Sequence, residues 1–342
     1  MEERVWVDGG FGRRVEKTKE HPSSWEEGSF DDVKINPDKK TVLFFDGSGG
    51  TNSRTANYGC KFVEGMIGKA KDNNYDLYSF YYGHPKSETH GKFFKHEKVK
   101  VFSSFLRPFL FDEASQLLPE EQIDKNLRNL RFYAYCKGME EINHLLSVAD
   151  RVLTKGFGEQ KSKKLLENVY VVSFAPLEEP KFGTNIEFKS LKDITTKEPW
   201  FMSKHASDFC GEHYTGLAQV EFNKDKNGLE VFSNNFFNLD SEINPHQMGA
   251  FLKENGVIPT RNTAQDVNGK KVYSRQQAIA DLIGISLAYG LIEGKPNLKN
   301  VQTMLNTQIK QEENIFFEQE QKEIFKNKTN TNTNTQNGMV LG

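Results

Sequence analysis

The residues best suited to do chemistry lie in a short segment around a cysteine. Cys136 is flanked two positions away by Ala134 and Gly138, and it follows an apolar run that predicts a buried strand. Small residues at these positions are typical of a nucleophile elbow, a tight strand-to-helix turn that lifts a nucleophilic side chain above the edge of a sheet. A helix beginning at this point also favours a thiolate. The pattern predicts a nucleophile; the alternative is a buried cysteine at a strand end, which is common for free cysteines.

A glycine-rich segment follows an earlier apolar run. Gly47 and Ser48 come directly after Asp46, where the first predicted strand ends. In an enzyme with a nucleophile elbow, an amide from such a loop joins the amide of the residue after the nucleophile, here Lys137, to stabilise a developing oxyanion. We therefore predict that the amides of Lys137 and of Gly47 or Ser48 form an oxyanion hole.

Two other functions of the glycine-rich segment have less support. A phosphate-binding loop would need a closing Lys-Ser/Thr pair or the three-glycine dinucleotide pattern, and neither is present. A phosphatase of the haloacid dehalogenase type would carry a second aspartate where Ser48 stands, and it would require Mg²⁺. The three cysteines show no zinc-binding spacing. The sequence thus predicts no cofactor and no metal site.

A cysteine nucleophile of this kind works with a general base, and the expected chain order is nucleophile, acid, histidine. His246 follows the last predicted strand at a turn before a helix, and we predict it as the base. Asp208 follows a strand predicted near Trp200, and we predict it as the acid that orients the base. A solvated loop histidine and a surface cap are the plainer alternatives for these two residues. The rival bases and acids are His205, His213, Glu178 and Glu179.

The order of predicted elements indicates an α/β fold. Apolar residues at helical spacing separate the buried runs, and alternating strands and helices imply a mainly parallel sheet with helices on both faces. A hairpin is predicted further on, with Asn227 and Gly228 as its turn. The apolar runs that predict the sheet strands are 41–45, 75–82, 130–135 and 169–174.

Three short motifs resemble those of a bacterial α/β-hydrolase family that includes phospholipase effectors of type VI secretion. That family carries F-D-G-T, then Y-x-x-G, then G-F-S-R-G-A. The chain departs from it at Cys136 and Lys137, and Ala175 replaces the family's acid after the next strand. A cysteine at the elbow also resembles dienelactone hydrolases. The resemblance implies an α/β-hydrolase-like fold and hydrolysis of an ester or thioester, lipids included, through an acyl-cysteine. The matching segments are Phe44–Gly49, Tyr81–Gly83 and Tyr135–Met139.

Composition and element order divide the chain into four parts. A polar N-terminal extension covers 1–39, and the α/β-hydrolase-like domain covers 40–260. A helical region covers 261–325. The Asn/Thr-rich end, 326–342, predicts a disordered tail because it has too few apolar residues to pack.

Net charge and hydropathy limit the classes of binding partner that we expect. The 45 basic and 47 acidic residues give a net charge of -2, which argues against nucleic acid as the main partner. The sequence contains no run of about 18 apolar residues, so we predict no transmembrane segment. We also expect no cleaved secretion signal and a reducing compartment. Basic and aromatic residues around Phe93 suggest peripheral membrane contact, with a solvated loop as the alternative.

The C-terminal sequence resembles the signal of substrates of Dot/Icm-type type IV secretion. A glutamate-rich block precedes the terminal apolar residues Met339–Leu341; the alternative is an acidic helix with a frayed end. The resemblance implies synthesis in a bacterial cytoplasm and export into a host cell, where a host protein is a further partner. The leading hypothesis is therefore a secreted cysteine hydrolase. The alternative is a catalytically inactive hydrolase fold that acts as a binding or scaffold protein.

Overall fold

The structure is a computed structural model that describes twelve parts of the chain. Gly47, Cys136 and Lys137 lie inside these parts. The predicted site residues Ser48, Asp208 and His246, the rivals His205 and His213, and the strand predicted near Trp200 lie outside them. The described residues are 6–15, 25–47, 59–61, 63–65, 67, 74–85, 95–190, 216–233, 266–267, 270–271, 275–292 and 296–336.

The described strands are numbered in chain order. They are β1 (Trp6–Val7), β2 (Gly10–Arg14), β3 (Trp25–Gly28), β4 (Lys40–Phe45), β5 (Tyr75–Tyr81), β6 (His84–Pro85), β7 (Leu130–Tyr135), β8 (Tyr170–Phe174), β9 (Thr184–Ser190), β10 (Gln219–Asn223), β11 (Gly228–Ser233), β12 (Asp266–Val267) and β13 (Lys270–Lys271). The four strands predicted from buried apolar runs are β4, β5, β7 and β8, and their bounds agree with the prediction to within one residue.

One sheet contains nine of the described strands, in the order β10-β11-β9-β8-β7-β4-β5-β2-β3. Pairing is parallel across the six central strands from β11 to β5. It is antiparallel where β10 extends one edge and where β2 and β3 extend the other. The predicted α/β architecture with a mainly parallel sheet is confirmed.

Helices accompany the sheet. Those with defined bounds are α1 (Lys95–Val101), α2 (Arg107–Leu110), α3 (Glu120–Leu127), α4 (Gly138–Phe157), α5 (Glu159–Leu166), α6 (Arg275–Ile292) and α7 (Leu298–Gln336). The described residues within 59–67 are helical as well. A π-helical turn over Phe102–Leu106 joins α1 to α2. A search of the described residues finds no helix with both the length and the hydropathy that crossing a bilayer requires.

Two apolar clusters cover the two faces of the sheet. Because side chains alternate along a strand, Leu43 and Phe45 of β4 join one cluster with α3, α4 and α5. Val42 and Phe44 join the other cluster, which includes buried residues of α6 and α7. The two C-terminal helices therefore share the core of the sheet.

The predicted hairpin is confirmed as β10 and β11, but its turn is longer than the expected Asn-Gly pair. Residues 224–227 form the turn, and Gly228 is already the first residue of β11. Asn227 takes the left-handed conformation, with φ of 47°. Gly228 also leaves room for a neighbouring strand, since a Cβ there would collide with the Asn185 side chain on β9.

The C-terminal residues differ from the sequence prediction. The structure continues α7 to Gln336, through residues that were predicted to be disordered. The first half of this helix is packed, with Val301, Leu305 and Ile309 buried. Once a helix is nucleated, each further residue adds one hydrogen bond, and no glycine or proline interrupts the sequence before Gly338.

Side chains from the sheet hold the C-terminal end of α6. The last carbonyls of a helix have no partner within it and carry a partial negative charge, so cations are favourable there. Arg131, which is fully buried on β7, supplies one cation, and burial lowers its pKa to about 10. The donor and acceptor pairs are Tyr170 Oη with Ser286 O (2.9 Å), Tyr133 Oη with Leu287 O (2.7 Å), Arg131 Nε with Gly290 O, and Lys40 Nζ with Leu291 O.

Replacing Arg131 with methionine should destabilise the fold, because the buried carbonyl of Gly290 loses its donor. We expect the free energy of unfolding to fall by about 2 kcal/mol. Urea denaturation followed by circular dichroism measures the change. Arg151→Met, at an exposed position of α4, is the matched control and should unfold at the wild-type urea concentration. Equal midpoints for the two variants would contradict the role of Arg131.

Candidate functional site

The candidate site lies at the carboxyl edge of the sheet, between β4 and β7. The chain passes from β4 to β5 on one side and then crosses to β7 on the other, so the strand order reverses between β4 and β7. In open parallel sheets the crevice outside such a reversal is the usual place for a ligand. The segments leaving the two strands begin with Asp46 and with Cys136. Two segments singled out from the sequence thus meet at one crevice.

Cys136 adopts a backbone conformation that is rare for a residue with a side chain. Its φ is 52°, in the left-handed region, which costs about 1–2 kcal/mol outside glycine. Two hydrogen bonds to neighbouring segments hold the turn. The Cys136 amide donates to Phe174 O of β8 at 3.2 Å, and its carbonyl accepts from the Leu177 amide at 3.1 Å. The chain therefore bends sharply between β7 and α4, as the sequence predicts for Cys136.

The neighbouring strand ends in a similar turn. Ala175 follows β8 with φ of 46°, and its amide donates to Phe188 O of β9 at 3.0 Å. This turn carries the chain back so that the Leu177 amide reaches the Cys136 carbonyl. The loop after β8 is consequently bonded to the turn at Cys136.

Two glycines allow the segments of the crevice to approach closely. A Cβ on Gly138 would collide with the carbonyl oxygen of Phe45, so the first turn of α4 rests on the end of β4. A Cβ on Gly47 would lie 3.2 Å from Cβ of Cys136. Gly47 and Cys136 are therefore neighbours, and the predicted small residue at 138 is required by backbone contact.

The Cys136 side chain is largely enclosed. The residue is 6% exposed and belongs to the apolar cluster that includes Tyr135, Phe174 and Ala175. The rings of Tyr135 and Phe174 stack with centroids 5.8 Å apart. The surroundings of Cys136 are consequently apolar on the side of these two rings.

Asp46 is a buried acid at the end of β4. Burial raises its pKa from 3.8 to about 7, while the Gly47 amide, which donates to Oδ1 at 2.7 Å, lowers it. The Tyr82 hydroxyl donates to the Asp46 carbonyl at 2.7 Å. The amide that the sequence assigned to an oxyanion hole therefore already donates to a carboxylate. The sequence does indicate a buried acid here, because Asp46 is the first polar residue after a buried apolar run.

A second buried acid lies close to the crevice. Glu141, in the first turn of α4, is 3.0 Å from Nζ of Lys98 on α1. Burial raises the pKa of Glu141, and Lys98 opposes that shift. Burial also raises the pKa of Tyr82, and the nearby Glu141 and Asp46 carboxylates add to that increase. The sequence reasoning missed this group because no local pattern connects α1 to α4.

The alternative acids Glu178 and Glu179 are held by other groups. Glu178 accepts from Asn143 at 2.9 Å and from Lys181 at 2.6 Å. Glu179 forms an ion pair with Lys226 at 2.6 Å. The geometry gives each of these carboxylates a cation as its partner. The preferred acid and base, Asp208 and His246, lie outside the described residues.

The chain matches no model of a known protein family, and no curated protein matches it. The observations that bear on function are therefore the nine-stranded, mostly parallel sheet and the geometry between β4 and β7.

A methyl group on Gly138 should disrupt the junction of α4 with β4. Gly138→Ala places Cβ against backbone atoms of Phe45, and we expect the free energy of unfolding to fall by about 2–3 kcal/mol. Gly156→Ala is the control in the same helix. There Cβ meets only the end of the Leu117 side chain, which can move, and alanine improves helix propensity. Thermal unfolding of both variants measures the difference, and equal destabilisation would contradict the contact.

The buried Asp46 should make stability depend on pH. Because its pKa is raised on folding, the folded chain keeps a proton that the unfolded chain loses, so the free energy of unfolding falls as pH rises from about 4 to about 7. The contribution is up to about 4 kcal/mol. The free energy of unfolding of Asp46→Asn, taken relative to that of wild type, should therefore be higher at pH 8 than at pH 5.

Urea denaturation at the two pH values checks this expectation. Asp225→Asn, in the exposed turn of the β10–β11 hairpin, is the control and should not change the difference between them. If Asp46→Asn behaves like the control, Asp46 does not hold its proton in the folded state.

Proposed function

We propose that this chain hydrolyses an ester or a thioester with Cys136 as the nucleophile. The observation that carries the proposal is the left-handed turn at Cys136, between β7 and α4, at the crevice where the strand order reverses. A non-glycine residue persists in this conformation only where the surrounding structure enforces it, and such residues cluster at functional sites. The conformation is the one that a nucleophile elbow needs, which supports an α/β-hydrolase-like site on this sheet.

The first chemical step is attack of the Cys136 sulfur on the substrate carbonyl carbon. The carbonyl oxygen becomes an oxyanion, the leaving alcohol or thiol takes a proton, and an acyl-cysteine remains. Water then attacks the acyl carbon and releases the acid and the thiol. The Lys137 amide is suited to stabilise the oxyanion, because it immediately precedes α4 where amides lack intrahelical acceptors. Gly47 can contribute its amide after exchanging Asp46 Oδ1 for the substrate oxygen.

The order of strands along the chain supports the proposed base and acid. β9 and β11 run in the same direction as β7, so the chain leaves all three at the same edge of the sheet. Asp208 follows β9 in sequence, and His246 follows β11. We propose that His246 takes the thiol proton and that Asp208 orients it. Ser48, which follows Gly47, is proposed as a further oxyanion donor.

The surroundings of Cys136 favour an apolar acyl group. Tyr135 and Phe174 belong to the same apolar cluster as Cys136, and their rings stack with centroids 5.8 Å apart. A fatty acyl ester or thioester fits these walls better than a charged acyl group, because a charge would lose hydration there. The proposed substrate class is therefore a lipid-like ester or thioester.

Labelling with an alkyne-tagged chloroacetamide should identify the nucleophile. In a background that carries Cys210→Ala, the chain should take up the label, and the added change Cys136→Ala should abolish it. Added to the same background, Cys60→Ala should leave the labelling unchanged, because Cys60 is 2% exposed and burial raises the pKa of its thiol. Mass spectrometry of the labelled peptide gives the position. Label that remains in Cys136→Ala, or label at Cys60, would contradict the assignment.

Turnover of p-nitrophenyl acyl esters and acyl thioesters of increasing chain length tests the activity. Cys136→Ala and His246→Ala should each lower kcat/KM by at least about 10³-fold. Asp208→Asn should lower kcat/KM by a smaller factor, because a thiol nucleophile depends less than a hydroxyl on the acid. Cys60→Ala should retain wild-type turnover.

The second candidate is a binding protein on an inactive hydrolase fold. It is favoured by the enclosure of Cys136 and by the Gly47 amide donating to Asp46 rather than pointing to a vacant acceptor position. Absence of both labelling and turnover across the ester panel would support this candidate and exclude the hydrolase.

A further inference from the structure

Three side chains with metal-binding atoms converge where the N-terminal segment meets α1. The ligand atoms of Asp8, His96 and Glu97 all lie within 4.8 Å of one another, and His96 Nε2 is 3.8 Å from Asp8 Oδ1. We propose that these three side chains bind a divalent transition-metal ion, with Zn²⁺ as the ion that fits them best.

Glu97 provides the buried part of the site. The residue is only 1% exposed, and its carboxylate accepts the Gly9 amide. A second carboxylate nearby adds electrostatic repulsion, which a cation between Glu97 and Asp8 would offset.

Close packing at Gly9 holds Asp8 against α1. A Cβ on Gly9 would lie 2.6 Å from Glu97 Oε1, 2.7 Å from the Gly83 amide nitrogen and 2.8 Å from the Tyr81 carbonyl oxygen. Only glycine lets the chain pass between the end of β5 and the Glu97 carboxylate. The approach of Asp8 to His96 and Glu97 is therefore a consequence of backbone packing as well as of side-chain reach.

The set of donor atoms selects the class of metal. One imidazole and two carboxylates suit Zn²⁺ and similar ions, whereas Mg²⁺ and Ca²⁺ prefer oxygen ligands alone. Tetrahedral Zn²⁺ with bonds of about 2.0–2.1 Å spaces its ligand atoms roughly 3.3 Å apart. The side chains of Asp8 and His96 are 79% and 57% exposed, so they can close the remaining gap toward Glu97. Their exposure also leaves the fourth position to water.

The site would connect two distant parts of the chain. Asp8 lies between β1 and β2, while His96 and Glu97 begin α1, which leads toward Lys98 and its partner Glu141. The sequence predicted no metal, because the expected spacings join ligands that are close in the chain. Here the ligands are brought together only by the fold.

Isothermal titration of the untagged full-length chain with Zn²⁺ tests the proposal. Wild type should bind one equivalent at this site with a micromolar or lower Kd. Asp8→Asn and His96→Ala change exposed side chains, and each should weaken this binding at least tenfold. Glu97→Gln retains an acceptor for the Gly9 amide while removing the charge, and it should weaken binding to a similar degree.

Two controls test whether binding is specific to this site and to this class of metal. His144→Ala, at an exposed position of α4, should bind Zn²⁺ like wild type. Mg²⁺ should give no comparable binding. Wild-type protein that takes up no stoichiometric Zn²⁺, or His96→Ala that binds as tightly as wild type, would overturn the proposal.

Discussion

The contact between the end of β4 and the start of α4 is the constraint on which the crevice depends. Gly138 lets the helix backbone rest on the carbonyl of Phe45, so the segments that leave β4 and β7 begin close together. Cys136 is placed by this contact on one side and by its hydrogen bonds to β8 and the following loop on the other. The strained φ at Cys136 is tolerated because the surrounding backbone leaves it no relaxed alternative.

Three buried charged groups in the described part of the chain each have a specific partner. The Asp46 carboxylate accepts a hydrogen bond from a backbone amide, and Glu141 forms an ion pair with Lys98. Arg131 donates to a carbonyl of α6. Each group is isolated from water and compensated by one or two specific partners. The polar residues that share the interior with apolar clusters therefore fix the register of one element against another.

Local patterns in the sequence were sufficient for β4, β5, β7, β8, the β10–β11 hairpin and the turn at Cys136, but not for β2, β3 and β9, which also belong to the sheet. Strands buried on both faces appear as uninterrupted apolar runs, and the small residues around Cys136 mark the turn because the constraint acts within five residues. Partners far along the chain could not be predicted in this way. The contact of Gly138 with Phe45, the donation from Arg131 to Gly290 and the pairing of Lys98 with Glu141 depend on how the elements pack. Likewise, the pKa of Asp46 is set by burial, which no single segment reveals.

The attachment of α6 has a mechanical consequence. Along β7, Arg131 bonds Gly290 and Tyr133 bonds Leu287, so the helix runs opposite to the strand. Its bonded end is at the amino edge of the sheet, and its 18 residues extend from there toward the carboxyl edge over about 27 Å. Ile279, Leu282 and Leu287 are fully buried in the apolar cluster on that face. The hydrogen bonds at one end and the apolar packing along its length therefore hold α6 against the sheet together.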